Sequence, residues 1–210
     1  MLLLSLLGCF PELEDRNFAP IVEILSPENG ATFNESETVT LEVSVFDETL
    51  QTGGVIVQWM SDVDGLIAEV VPNADGNLLI NTQVLSAGEH NTLLLVKDNE
   101  LTTQVPLLLN INAAPIPPLV SLSPEDAVTG DQLKAVTVGG IDPEGSAVNM
   151  SFEWYRNNVA YEVDPNEPNI VPAGITEKDD SWSVRVVADD GAASSEPVYA
   201  SVLIDGVPPI

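Results

Sequence analysis

From Ala19 onward the chain alternates apolar and polar positions with a period of two. In SETVTLEVSVF, Val39, Leu41, Val43 and Val45 occupy every second place. A strand turns successive side chains to opposite faces, so these four share one face and predict a half-buried strand. Further short runs follow in GVIVQWM, LLIN, HNTLLLV and QVPLLLNIN. Turn-forming clusters separate them: ENG, TGG, DVDG, NADGN, SAGE and KDNE. No long stretch carries the helical period. Short strands at a spacing of roughly 8–12 residues predict an all-β chain built as an antiparallel sandwich.

The pattern then repeats. PIVEILSPENG is answered by PPLVSLSPEDA, and Pro27 to Pro124 spans 97 residues. QWM is answered by EWY, with Trp59 and Trp154 95 residues apart. LLLVKDNE is answered by VRVVADDG, with Val96 and Val187 91 apart. Three landmarks in one order at near-constant spacing predict two copies of one module. The expected division is a signal segment at 1–8, a tether at 9–18, sandwiches at 19–113 and 114–205, and a linker or third module beginning at 206–210. The boundary falls in the proline-rich Asn112–Pro118, NAAPIPP, a semi-rigid linker.

Composition narrows what such modules can do. Of 210 residues, 44 % are hydrophobic, enough to bury a core in each module. There are 33 acids against 6 bases, a formal net charge of −27. A surface this negative repels phosphate backbones and anionic lipid heads, which argues against nucleic-acid binding. The single cysteine, Cys9, excludes an internal disulfide and any CxxC metal site. The single histidine, His90, excludes multi-histidine metal centres. In SAGEHNTLLLV it is expected as a partly exposed strand-end residue, not a catalytic base.

Trp59 and Trp154 sit at the centre of their strands, where a large apolar ring can tie two facing sheets together. They are expected in the structural core, although an aromatic platform for a sugar is the other use of such rings. Tyr155 and Trp182 lie in alternating strands in which one of each neighbouring pair faces outward. Tyr155 is the better candidate for exposure.

These residues resemble the immunoglobulin-like and PKD-like modules strung along bacterial surface proteins and lipoproteins. The likeness rests on the apolar-x-apolar-Ser-Pro opening and on the tryptophan-centred strands VIVQWM and SFEWYRNN. It rests also on GEHNTLLLVKDN and DSWSVRVVADDG, which look like an F strand and its turn. It covers about Ala19 to Asp205 and implies two tandem immunoglobulin-like sandwiches without the inter-sheet disulfide of antibody domains.

In such a sandwich the B–C, D–E and F–G loops gather at the end where the chain enters. The resemblance therefore places Asp142 and Glu144 beside Asp189 and Asp190, and directs Asp62 and Asp64 of the first module towards the same joint. Oxygen-rich clusters of this kind bind Ca²⁺, so these six carboxylates are candidate calcium ligands; solvated turn tips are the alternative. The linker lacks the acidic pattern of cadherin-type joints. A weaker acidic set, Asp47, Glu48, Asp75 and Asp98, is expected at the top of the first module. No cofactor is required by any motif. Asn34 and Asn149 fit N-x-S/T glycosylation sequences.

The start of the chain, MLLLSLLGCF, bears on location. Leu2–Leu7 is apolar but far short of the roughly 20 residues a membrane-spanning helix needs, and no other run approaches that length. Leu6–Cys9, LLGC, resembles the lipobox of bacterial lipoproteins, in which the cysteine is lipidated and becomes the mature N-terminus. The expectation is an exported, lipid-anchored, non-enzymatic surface array for binding, adhesion or spacing, with a protein or glycan partner. Alternatives are an accessory region of a longer exported protein whose active domain lies beyond Ile210, or a calcium-stiffened adhesin. Glycoside hydrolysis needs an acid and a base or nucleophile in one cleft, and nothing singles out such a pair from the acids present.

Overall fold

The computed structural model describes residues 17–50 and 53–206. Cys9, the lipobox and the tether up to Arg16 lie outside the described residues, as do the last four positions. Among the described residues fifteen strands run in the order the turn signals set. The first eight are β1 (Ile21–Ser26), β2 (Ala31–Asn34), β3 (Val39–Phe46), β4 (Ile56–Ser61), β5 (Gly65–Val70), β6 (Asn77–Thr82), β7 (Gly88–Lys97) and β8 (Thr102–Asn112). They form two sheets, β1-β3-β6 and β2-β8-β7-β4-β5. The remaining seven are β9 (Leu119–Ser123), β10 (Leu133–Val138), β11 (Asn149–Arg156), β12 (Val159–Tyr161), β13 (Ile170–Val171), β14 (Ser181–Asp189) and β15 (Val198–Leu203). Their sheets are β13-β10-β9 and β12-β11-β14-β15. The chain is therefore two tandem immunoglobulin-like sandwiches, each with a three-stranded sheet facing a larger one. β2 adds to β8 in parallel, Ala31 opposite Leu109. In the second sandwich a parallel bridge between Val128 and Asp205 stands in the corresponding place.

Packing divides the chain into two compact units. Thr40–Asn81 and Asn91–Leu107, with the described residues up to Glu28, form the first; Asn29–Val39, Thr82–His90 and the chain from Leu108 form the second.

The alternation read from the sequence is the core. Val39, Leu41, Val43 and Val45 are buried while their neighbours on β3 are not. Trp59 is fully buried on β4, hydrogen-bonded in register with Leu94 of β7. In the second sandwich Trp154 and Trp182 are buried with Leu122, Leu133, Val171, Val184 and Val186. Their rings meet edge to face, centroids 6.5 Å apart, and Tyr161 adds a second such contact to Trp182 at 4.9 Å. This geometry sets the positive ring edge against the negative face.

β11 and β12 are joined by Asn157 and Asn158, both with positive φ, closing a hairpin in which Arg156 faces Val159. Such a two-residue turn needs positive φ at both central positions, which asparagine tolerates better than most residues. The turn sets Arg156 over the Trp182 ring at 5.9 Å and within 2.7 Å of Asp180. Asp180 is buried and also accepts from Glu177 N–H and from Asn157. Burial by itself pushes its carboxyl upward, but the Arg156 guanidinium and the two N–H donors outweigh it and hold the carboxyl below its usual range. A carboxyl lowered in the folded state adds stability above the unfolded pKa of about 4, and that stability is lost as pH falls through the folded value. Asp180→Asn is expected to destabilise the second sandwich by about 1–2 kcal/mol at neutral pH. The difference from wild type is expected to shrink towards pH 3, read from urea unfolding at both pH values.

Candidate functional site

The polar groups worth weighing sit on the turns at the N-terminal pole of each sandwich. In the first, β3 runs out at Phe46, and the next residue, Asp47, turns inward and is 7 % exposed. Its Oδ1 accepts from the Thr49 N–H at 2.8 Å, an Asx turn built by a short acid at a strand end. Asp98 follows β7 and is 3 % exposed. Its Oδ1 accepts from Glu100 N–H and Leu101 N–H. The two turns abut: a Cβ placed on Gly54 would lie 3.0 Å from the Thr49 side chain and 3.4 Å from Asn99 Nδ2. Asn17 lies beside Asp98 on the chain entering β1, and the next residue, Phe18, donates its N–H to Glu48 Oε1 at 2.7 Å. The Leu101 N–H does most to hold the Asp98 carboxyl below its ordinary value; burial opposes it, and Glu100 N–H and Asn17 add to the lowering. No hydrogen bond of normal geometry reaches Asp98 Oδ2, Asp47 Oδ2 or Asn17 Oδ1, and all three atoms are buried.

The second sandwich builds a similar arrangement, in which both oxygens of the F–G aspartate have donors. Asp142, also 7 % exposed, accepts Ser146 N–H on Oδ1 at 2.8 Å. Its Oδ2 is buried with no partner. Asp190 Oδ1 accepts Ala192 N–H and Ala193 N–H at 2.7 and 2.6 Å. Asn112 donates to Asp190 Oδ2 at 3.0 Å, and the next residue, Ala113, donates its N–H to Glu144 Oε2 at 3.1 Å. The Asp190 carboxyl is held below its usual range chiefly by the Ala193 N–H, against burial, with help from Ala192, Asn112 and Asp142. Every member of this set lies in the second unit, as every member of the first set lies in the first.

The structure thus joins Asp142 to Asp190 and places Glu144 on the backbone of Ala113. Asp189 is engaged locally, by Gly191 N–H and the Ser194 hydroxyl. Asp62 belongs to the first unit, on the β4–β5 turn, where both its oxygens are held by Asn91, through N–H and Nδ2, each at 2.9 Å. Asp64 lies on the same turn, its N–H donated to Ser61 Oγ. Asp75 is exposed at the tip of the β5–β6 turn. Among the described residues no group of three or more His, Cys, Asp or Glu side chains is placed to hold a metal ion. The sequence reading did not include Asn17 and Asn112. The signal was there in NFAP and NAAP, which put an asparagine 95 residues apart ahead of each sandwich.

His90 departs from expectation. It is fully buried, and its Nε2 lies 2.7 Å from Ser86 O. The β7 face that carries Thr92, Leu94 and Val96 inward continues one step further back to position 90, so the ring is taken into the interior. Of the aromatic candidates, Trp182 is buried, whereas Tyr155 is half-buried on the outer face of β11 with its hydroxyl on Glu153 at 3.1 Å. Tyr155 also borders a surface depression of about 390 Å³ with Tyr161 and Pro168.

No family model matches the chain, and no curated protein matches it either. Solved structures do. Titin domains A168–A170 superpose with a TM-score of 0.51 at 15 % identity, over 91 % of this chain and 68 % of that one. An E-to-A variant of titin domains I67–I69 gives 0.49 at 14 % identity, over 90 % and 67 %. Sidekick-1 immunoglobulin domains 1–5 give 0.37 at 18 %, over 92 % and 40 %. At such identities the likeness extends to the fold alone, and the chain is similar in fold to tandem immunoglobulin-like domains.

Proposed function

We propose that this chain is a non-enzymatic immunoglobulin-like array displayed outside a bacterial cell, held to the membrane by a lipid on Cys9 and serving to space or bind. The observation that carries the reading is the placement of polar chemistry. The acidic side chains of interest lie on turns at the sandwich poles, where loops on a rigid scaffold meet partners. The buried His90 places its Nε2 2.7 Å from the backbone carbonyl of Ser86. The net charge of −27 suits an exposed, solvated surface and a protein or glycan partner in place of nucleic acid. Cys9 and the lipobox-like LLGC supply the anchoring half of the proposal.

The test is labelling of bacteria that express the full chain with an alkyne fatty acid. The chain is expected to take up the label, and Cys9→Ser to lose it and to leave the membrane fraction. A mature protein that starts at Met1 and carries no label overturns the anchor. Protection of the sandwiches from protease added to intact cells overturns surface display.

A further inference from the structure

We propose that each sandwich carries a divalent-cation site at its N-terminal pole, formed by Asn17, Asp47 and Asp98 in the first and by Asn112, Asp142 and Asp190 in the second. The inference goes beyond a spacing or binding role and does not depend on the lipid anchor. It stands on hydrogen-bond accounting. Buried acceptors are nearly always satisfied, and each one left unsatisfied is destabilising. Only six buried side-chain N or O atoms among the described residues lack a partner, and two of these are indole N–H groups. The other four are all oxygens of these two poles: Asn17 Oδ1, Asp47 Oδ2, Asp98 Oδ2 and Asp142 Oδ2.

The chemistry of the vacant lone pairs selects the ligand. At the first pole three buried oxygens without a geometrically normal hydrogen bond sit on the entering chain and on two abutting turns, and a single shared proton supplies only one donor. Two carboxylates brought together repel unless a positive charge lies between them. Lys and Arg total only 6 in the whole chain; the ion pairs of Arg156 and Arg185 are made to Glu177, Asp180 and Glu153, and Lys97, which precedes Asp98, is exposed. The donor set is oxygen throughout, which suits a hard cation, and Ca²⁺ takes 6–8 oxygens, including amide carbonyls and water. Two acids and one amide fall short of a three-acid cluster, so water would complete the shell.

Repetition is the independent support. The same four contacts recur in both sandwiches: an asparagine beside the F–G aspartate, the following N–H on a glutamate, a nearby downstream N–H on Oδ1 of the B–C aspartate, and paired N–H donors on the F–G aspartate. Turn formation alone explains the Oδ1 bonds. It does not explain why each B–C aspartate buries a second oxygen with nothing to receive.

Calorimetric titration of the metal-free full chain with CaCl₂ tests the proposal. Two ions per chain are expected, with dissociation constants of about 10⁻⁴–10⁻³ M, the range of extracellular modules. Melting temperature should rise with Ca²⁺ concentration. Asp47→Asn and Asp142→Asn, nearly isosteric and checked for native circular dichroism, should each remove one ion; the pair should remove both. Asp62→Asn should leave both ions bound. No heat and an unchanged melting temperature at millimolar Ca²⁺ overturn the proposal. So does binding that survives in the double variant, which would report loose attraction to an acidic surface. If one variant unfolds, Asp98→Asn or Asp190→Asn reads the same site from its other carboxylate.

Discussion

Trp154→Ala is expected to destabilise the second sandwich by about 3–5 kcal/mol, and Trp59→Ala to do the same in the first. Both rings are buried, at 2 % and 0 % exposure, and each belongs to a strand flanked by partners on both sides. Alanine at either place opens a cavity between the sheets that close packing cannot refill. A phenylalanine substitution separates the two sites. Trp154 Nε1 donates to Pro168 O at 3.0 Å, so Trp154→Phe leaves a carbonyl without its donor. Trp59 Nε1 is buried with no partner, so Trp59→Phe removes an unsatisfied N–H together with some ring volume. Trp154→Phe is expected to cost about 1 kcal/mol more than Trp59→Phe. Guanidinium unfolding of the four variants checks the order, and equal costs for the two phenylalanine variants would sink the account.

The second large effect is expected at Gly76. Its φ is +77°, a conformation that costs an L-residue about 1–3 kcal/mol. A Cβ there would stand 1.9 Å from Val45 O, a backbone atom of β3 with no freedom to swing away. The approach is close because Val45 N–H donates to Gly76 O at 2.8 Å, which pins the turn before β6 onto β3. Gly76→Ala is therefore expected to cost about 3–5 kcal/mol, the sum of the backbone penalty and overpacking. Gly65 is the control. Its φ is +74°, yet nothing lies within 4 Å of a Cβ there, so Gly65→Ala should cost only about 1 kcal/mol. Similar losses at both glycines, measured by urea unfolding, would show that close approach is not what matters at Gly76.

Much of this architecture is local and was open to a reader of the sequence. Strand alternation in SETVTLEVSVF put Val39, Leu41, Val43 and Val45 on one face, and they are buried together. The tryptophan-centred strands, their turns and the two-module repeat follow from periods and spacings that one segment carries by itself. Trp182 and Tyr155 were harder. An alternating strand states that neighbours part company, and its partner sheet then decides which neighbour goes inside. His90 departs from expectation for a related reason: nearness to a strand end says little about burial when the inward face extends to the strand's first residues.

The acids divide along the same line. Composition places Asp47, Asp62, Asp98, Asp142 and Asp190 in the connections between strands, and each lies there. Which of them keep company is a property of the fold. Asp62 meets Asn91 across 29 positions of chain, and Asp190 meets Asn112 across 78. Contacts at such separations exist only once the sheets have stacked and brought distant turns to one pole. Sequence alone determined the all-β class, the duplication, the tryptophan cores and the negative charge, because each is written in residue type and short-range period. Tertiary structure alone decided which carboxylate oxygens face a donor and which are buried without one, because that depends on what lies across the gap between loops.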